Sequence, residues 1–355
     1  MSDNNHYGLS PAKTTTEIDA PPIDYRPPSP QQRDRPIGVI GIGGISQSHL
    51  QAYHKAGLNV VALVDRTLDK AIRMRDRYFP AADVMADYRQ LLDRDDVEVI
   101  DATPHPLDRL PILRDAIESG KHVLSQKPFV LNLDDGERLV ELAEKHKVQL
   151  AVNQNGRWAP HFAYIRESIH SGLIGDVVSV DFSLQWDQTW IAGIEALEEI
   201  KHLVLFDFGI HWFDIATCFM QGRQPIDVFA QTVHQQNQKY RPAALASAVI
   251  RYADAQVRMS FNGHTLFGEQ DTTTVVGTKG TLRSTGPGLN NQSKMEVHLD
   301  TGCRQVPLHG CWFEEGFQGS MCELLRAIES STVPSNNARE SSITSTLFRG
   351  DAQCR

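Results

Sequence analysis

The chain of 355 residues has no excess of positive charge: 35 Lys and Arg stand against 44 Asp and Glu, a formal net charge of -9. Nucleic acids and anionic membrane surfaces attract clustered Lys and Arg, so neither is an expected partner. Long hydrophobic runs are missing as well. No segment reaches the ~18 apolar residues a membrane helix needs, and the N-terminus has no apolar leader region, so the cytoplasm is the expected location. Cysteine is scarce. Cys218, Cys303, Cys311, Cys322 and Cys354 are odd in number and form no C-x-x-C pair, which fits a reducing compartment and predicts neither a disulfide scaffold nor a metal site. No internal repeat is visible.

What is present is ordinary globular material, 41% hydrophobic and 22% charged, in a chain long enough for about two domains. A small neutral or polar substrate is the expected ligand. Residues 1–34, with "IDAPPIDYRPPSPQQRDRP", carry the Pro-rich, apolar-poor composition of a disordered or extended tail. From 35 to 155, β-branched runs at 37–43, 59–65, 97–103, 122–126 and 148–154 alternate with amphipathic stretches such as 133–147. Continuous apolar strands separated by helices predict a doubly wound parallel sheet, a Rossmann domain. From 156 to 355 the rhythm changes. A helix at 160–170, a strand at 177–186 and a helix at 204–220 precede strand-like runs at 226–234, 244–253, 256–262, 272–277 and 294–300. Successive strands predict an α+β domain with an antiparallel or mixed sheet, and helical periodicity returns at 312–330.

"GVIGIGGIS" places Gly41, Gly43 and Gly44 at the end of the first strand, ahead of Ile45 and of Ser46, which stands where the third glycine of G-x-G-x-x-G would fall. Such a turn lets a dinucleotide pyrophosphate sit on the N-terminus of the next helix. Asp65 ends the second strand about twenty residues on, where a carboxylate accepts from a ribose 2′-hydroxyl and repels a 2′-phosphate. NAD is therefore the expected cofactor; Arg66 beside it blunts the preference and keeps NADP as the alternative.

This turn, "ATP" at 102–104, "GKHVLSQKP" at 120–128 and "DFGIHWFD" at 207–214 together resemble the Gfo/Idh/MocA family of NAD(P)-dependent oxidoreductases over residues 36–330. The resemblance implies a Rossmann domain, then an α/β domain with a large open sheet whose face forms a homodimer or homotetramer interface, and substrates that are sugars, cyclitols or related polyols. It places Thr103 and Pro104 beside the cofactor. It puts the family's E-K-P motif on Gln126, Lys127 and Pro128, with Gln126 and Lys127 beside the cofactor and Lys127 also the catalytic lysine, and its D-x-x-x-H motif on Asp207 and His211. Gln126 replaces a glutamate. His105 directly follows the "TP", Asp108 lies nearer the family's usual histidine position, and "STLFRGDAQCR" lacks the family's apolar terminal helix.

Oxidising a CH–OH group removes a hydroxyl proton as hydride leaves for nicotinamide C4. An imidazole with an ordinary pKa of about 6.5 suits the proton transfer, and a cation suits the developing alkoxide. His211 is the expected base, Lys127 the electrostatic stabiliser and Asp207 the orienting group. On one continuous α-helix Asp207, His211 and Asp214 share a stripe; Asp214 then serves either His211 or a structural partner. Asn155 and Arg157 open the domain junction, and Arg157 fits an interdomain salt bridge equally well. Trp186, Asp187 and Trp190 suit a sugar, whose C–H faces stack on aromatic rings, or an aromatic packing cluster. "WFEEGF" at 312–317 reads as helix packing. Two other functional readings are an enzyme that retains its cofactor or cleaves glycosides with NAD, and a non-catalytic NAD(H)-binding regulator.

Overall fold

The computed structural model describes residues 16–290 and 292–341. The first half alternates β1 (Ile37–Ile40), α1 (Ser46–Lys55), β2 (Val60–Val64), α2 (Leu68–Tyr78), β3 (Asp83–Met85), α3 (Tyr88–Leu92), β4 (Val99–Ala102), α4 (Pro106–Glu118), β5 (His122–Ser125), α5 (Leu133–His146) and β6 (Leu150–Val152). All the pairings are parallel, in the order β3-β2-β1-β4-β5-β6. This is the doubly wound order, and its reversal between β1 and β4 opens a crevice at the strands' C-terminal ends. Every residue of β1 and β4 is buried, as expected of strands covered on both faces. Only β3, three residues long, escapes the sequence pattern, because it is too short to show a period.

Helix ends follow local chemistry. In α5, Asn132 caps the N-terminus by accepting from Asp134 N at 3.0 Å, Asp134 and Asp135 fill the first turn, and Lys145 and His146 the last. The two carboxylates and the lysine complement the helix dipole. Leu139, Val140 and Ala143 then form its buried face.

The second half contains α6 (Pro160–His170), β7 (Val177–Gln185), α7 (Glu195–Glu198), α8 (Ile210–Phe219), β8 (Asp227–Val233), β9 (Leu245–Arg251), β10 (Gln256–Asn262), β11 (Gln270–Gly277), β12 (Gly280–Gly286), β13 (Lys294–Leu299), β14 (Gly302–Val306) and α9 (Trp312–Ser330). Its eight strands form one sheet, β14-β13-β12-β11-β7-β10-β9-β8, antiparallel except for the β7/β10 pair. Register aligns Val180, Phe182 and Leu184 with Val257, Met259 and Phe261 on one face, under α6 and α8. The opposite face exposes Val178, Phe229 and Val233.

Two findings adjust the sequence reading. Sequence order groups α9 with the second sheet, yet Phe317, Met321, Leu324 and Leu325 pack into the first core with Ile37, Leu50 and Tyr53. Residues 16–34 are extended, as their composition suggests, but not detached from the fold. Ile18 N donates to Cys303 O at 3.1 Å, Tyr25 packs its ring 5.7 Å from that of Tyr164, and Gln31 and Gln32 N donate to Glu329. The remainder of the expected tail, 1–15, and "STLFRGDAQCR" lie outside the described residues.

One inward position of the second sheet is costly. Asp271 on β11 is 1% exposed, accepts from Gln292 Nε2 at 3.0 Å, and has no partner for Oδ1. Burial pushes its carboxyl up to about 7. Between the unfolded value near 4 and that figure, the folded chain holds a proton the unfolded chain has lost, so this group's contribution declines as pH rises. Asp271→Asn is expected to gain about 1 kcal/mol or more over the parent at about pH 8, with the gain vanishing toward about pH 4. Urea unfolding at both pH values checks this; an equal difference at both would refute it.

Candidate active site

The glycine turn closes as its sequence requires. Gly41 has φ +90°, and a Cβ there would lie 2.8 Å from the Pro104 ring. Only glycine fits both the left-handed backbone and that approach. Thr103 Oγ1 donates to the carbonyls of Ile40 and Gly41, so "ATP" buttresses the turn. Ser46 Oγ donates to Gly43 O at 2.7 Å, closing the turn where a third glycine was expected. Asp65 braces it from β2, accepting from Ile42 N at 2.7 Å through Oδ2 and from Thr67 N at 2.8 Å through Oδ1. Each carboxylate oxygen keeps a second lone pair. Arg66 is exposed, 3.8 Å from Asp108.

The turn fits a dinucleotide. A Cβ on Gly43 or Gly44 would meet no protein atom within 4 Å, leaving open space above the backbone. Ile45 leads into α1, whose first turn carries no acidic residue, unlike those of α2 and α5. Its N–H groups therefore face an anion unopposed.

Behind the turn lies a buried polar network that sequence reasoning missed. His49 Nδ1 is 2.8 Å from Asp101 Oδ2, which also accepts from Tyr53 Oη at 2.8 Å. The amide nitrogens of Gln126 and Asn153 meet His49 Nε2 at 3.0 and 3.2 Å. Two donors on Nε2 put the ring proton on Nδ1, facing Asp101. Gln126 Oε1 accepts from Lys127 N at 2.6 Å. The glutamine thus supplies an N–H that a glutamate lacks, and its side chain serves this network instead of reaching the cofactor space. Two signals in the sequence pointed here: His49 and Tyr53 four apart on one helix face, and Asp101 inside an apolar strand.

Lys127 follows β5 and reaches across to the second half of the chain. Its Nζ donates to Asp207 O at 2.8 Å and to Asp207 Oδ1 at 3.0 Å, and its peptide with Pro128 is cis. Asp207 does not sit in the continuous α-helix expected over 204–220. Residues Val204–Phe208 form a π turn, closed by Gly209 N donating to Val204 O at 2.7 Å, and α8 begins only at Ile210. The widened turn brings carbonyls inward: a Cβ on residue 209 would lie 2.9 Å from Val204 O and 2.8 Å from Leu205 O, so the position is glycine.

The extra residue takes Asp207 off the expected stripe, and the three side chains have separate neighbours. Asp207 takes Lys127. His211 packs edge-on against Trp312 with ring centroids 5.4 Å apart; burial first, then the Lys127 charge, hold its imidazole well below the usual 6.5. Asp214, 1% exposed, takes Arg157 through two 2.6 Å contacts. This pair removes Arg157 from the expected substrate set, because its guanidinium is spent on a buried carboxylate. It also answers what Asp214 does.

Other expected contacts are redistributed. Asn155 Oδ1 accepts from Trp312 Nε1 at 3.3 Å. Trp312, expected only to pack a helix, is thus a neighbour of the candidate base. Trp186 is core, 5% exposed, and Asp187 Oδ1 accepts from Thr189 N at 2.9 Å. Trp190 alone of that trio presents a face to solvent, at 56% exposure, standing edge-on to Phe208 beside Asp207.

A doubly wound nucleotide crevice joined to an open-sheet half by a Lys–Asp pair and a desolvated histidine defines a dinucleotide-dependent oxidoreductase. The chain belongs to the Gfo/Idh/MocA family: the model described as oxidoreductase family, NAD-binding Rossmann fold, matches residues 35–154, and that of the family's C-terminal domain matches 162–283. NAD is its cofactor class. The chain is 27% identical over 282 residues to a D-apiose dehydrogenase of Paraburkholderia graminis, covering 75% of this chain and 70% of that protein. It is 33% identical over 147 residues to an inositol 2-dehydrogenase of Gluconacetobacter diazotrophicus, covering 41% of this chain and 44% of that protein. In fold it is similar to an oxidoreductase from Agrobacterium radiobacter solved with NAD+, L-tartaric acid and magnesium, with a TM-score of 0.80 and 20% identity over 91% of this chain and 97% of that one. No helix among the described residues is long and apolar enough to cross a membrane.

The Arg157–Asp214 pair anchors α8, and with it His211, to the 155–158 turn. Asp214→Ala is expected to destabilise by about 3–5 kcal/mol because it strands a buried guanidinium, whereas the Arg157→Met/Asp214→Leu double variant recovers most of the loss. Chemical denaturation of the parent and the two variants checks this; a double variant no more stable than Asp214→Ala would refute it.

Proposed function

We propose that the chain is an NAD-dependent dehydrogenase acting on a CH–OH group of a sugar, cyclitol or related polyol. The observation that supports it most directly is the Lys127–Asp207 contact beside His211, at the mouth of the nucleotide crevice. When bound, NAD supplies the hydride acceptor at nicotinamide C4. The glycine turn and α1 hold its pyrophosphate, and Asp65 accepts from the adenosine ribose.

His211, kept neutral by desolvation and by Lys127, accepts the substrate's hydroxyl proton on its imidazole. An ammonium has three donors, and Lys127 spends two on Asp207. The third is directed at the oxygen that becomes negative as the proton leaves. Asp207 orients Lys127 rather than the histidine, a division of labour different from the stripe read in the sequence. Trp190, with Phe208 behind it, offers the C–H face of a sugar an apolar platform. The solvent-facing side of the second sheet, with Phe229 and Val233, is proposed as the homodimer or homotetramer contact, and sedimentation measures it.

His211→Ala is expected to lower kcat by ~10² or more while NADH binding persists. Near-full turnover by that variant would sink the assignment. Lys127→Met removes a cation from beside His211, so the imidazole pKa rises, and the acidic limb of kcat/KM moves to higher pH as kcat falls. An unmoved limb would show that a different group titrates. Substrate identity is tested with a panel of aldoses, inositols and sugar acids, followed by the near-ultraviolet absorbance of reduced nicotinamide, with NAD and NADP in parallel.

A further inference from the structure

Arg109, in the first turn of α4, is 1% exposed. Among the described residues no carboxylate stands within ion-pairing distance of it. Its guanidinium donates instead to backbone carbonyls: from Nη1 to Pro104 O at 2.6 Å, and from Nη2 to Pro128 O and, at 3.4 Å, to Phe129 O. Nε is buried without a partner. A cation in such a place is costly, and burial pushes it down to about 9 while the Asp207 charge opposes that shift. An apolar side chain of similar volume would fill the space at less cost, so mere packing does not explain a guanidinium here.

The segments that carry these carbonyls indicate what it does. Pro104 follows β4 and lies against Gly41, the first glycine of the nucleotide turn. Pro128 follows Lys127 after β5. These strands are neighbours in the sheet, but the segments beyond their ends have left the ladder, and their outward carbonyls need donors. One guanidinium, with its donors in a rigid planar fork, ties both segments together at a fixed separation.

We infer that Arg109 is a positioning residue, which locks the Pro104 and Lys127–Pro128 segments into one unit and so sets Lys127 relative to the nucleotide turn. The inference rests on the role proposed above for Lys127. NADH affinity, however, is measured without any turnover, so it tests the lock even if no polyol in the panel is oxidised.

Arg109→Met and Arg109→Lys are compared with the parent by NADH fluorescence titration, kcat, substrate KM and thermal unfolding. The Met variant is expected to bind NADH about tenfold more weakly and to lose about tenfold or more in kcat, with substrate KM changed less than about threefold, since small displacements of a positioned group act on the chemical step. The Lys variant, with a charge but no fork, is expected to fall between the two. NADH affinity and kcat within about twofold of the parent in the Met variant would overturn the inference. So would equal losses in the Met and Lys variants that follow melting temperature alone. Should Arg109→Met fail to fold, Arg109→Lys decides: parity with the parent in NADH affinity and kcat overturns the lock, and a loss of about threefold or more in both, without a matching fall in melting temperature, supports it.

Discussion

The contact between Lys127 and Asp207 is the constraint around which the molecule is organised, because it joins the segment after β5 of the first sheet to the π turn that leads into α8 over the second. As an isolated ion pair it would contribute little. The side chains are 17% and 21% exposed, and partly solvated pairs contribute about 0–1 kcal/mol. Its geometry is therefore imposed by what surrounds it. On the lysine side, the backbone is held by Gln126 and the buried His49–Asp101 network. On the aspartate side, the π turn sets the angle, and Asp214 with Arg157 fixes the helix that follows.

The site also separates rigid groups from available ones. Polar side chains below the crevice are buried and bonded to one another, which specifies a single arrangement in a low-dielectric setting. By contrast, Trp190 is 56% exposed, and the Lys127 ammonium has one donor beyond the two it gives Asp207. His211 lies between these classes: desolvated enough to stay neutral, with Nδ1 buried and without a partner.

Much of this was legible in the sequence, and the parts that were not share a physical cause. Apolar runs and turn glycines marked five of the six parallel strands and most strands of the second sheet, β14 (Gly302–Val306) being missed, since periodicity and backbone conformation are local properties. Lys127, Asp207 and His211 were legible through motif spacing. The π turn was not, because one extra residue leaves hydrophobic periodicity almost unchanged while it rotates every later side chain. That rotation is why Asp207 leaves the stripe, while Asp214 is claimed by Arg157, a partner on another element. Arg109, Trp312 and Asn153 were hidden for a different reason. Their partners lie on other elements, and an Arg in an amphipathic helix, or a Trp at a helix start, reads as surface or packing until the tertiary neighbours are known.

The extended segment at 16–34 bears on how the chain assembles. Glu17 pairs with Cys303 as an added bridge on the edge strand β14, and its carboxylate meets Arg304, 287 residues away. Contacts of such separation form only after nearly all of the chain is available, and they close slowly. During synthesis this stretch therefore waits while both sheets form. A hydrophobic strand held in that position would invite association with other chains. Its Pro, Asp and Gln content suits the delay: polar enough to stay solvated until β14 exists, it then covers the outer edge of that strand and leaves β8 as the sheet's other margin.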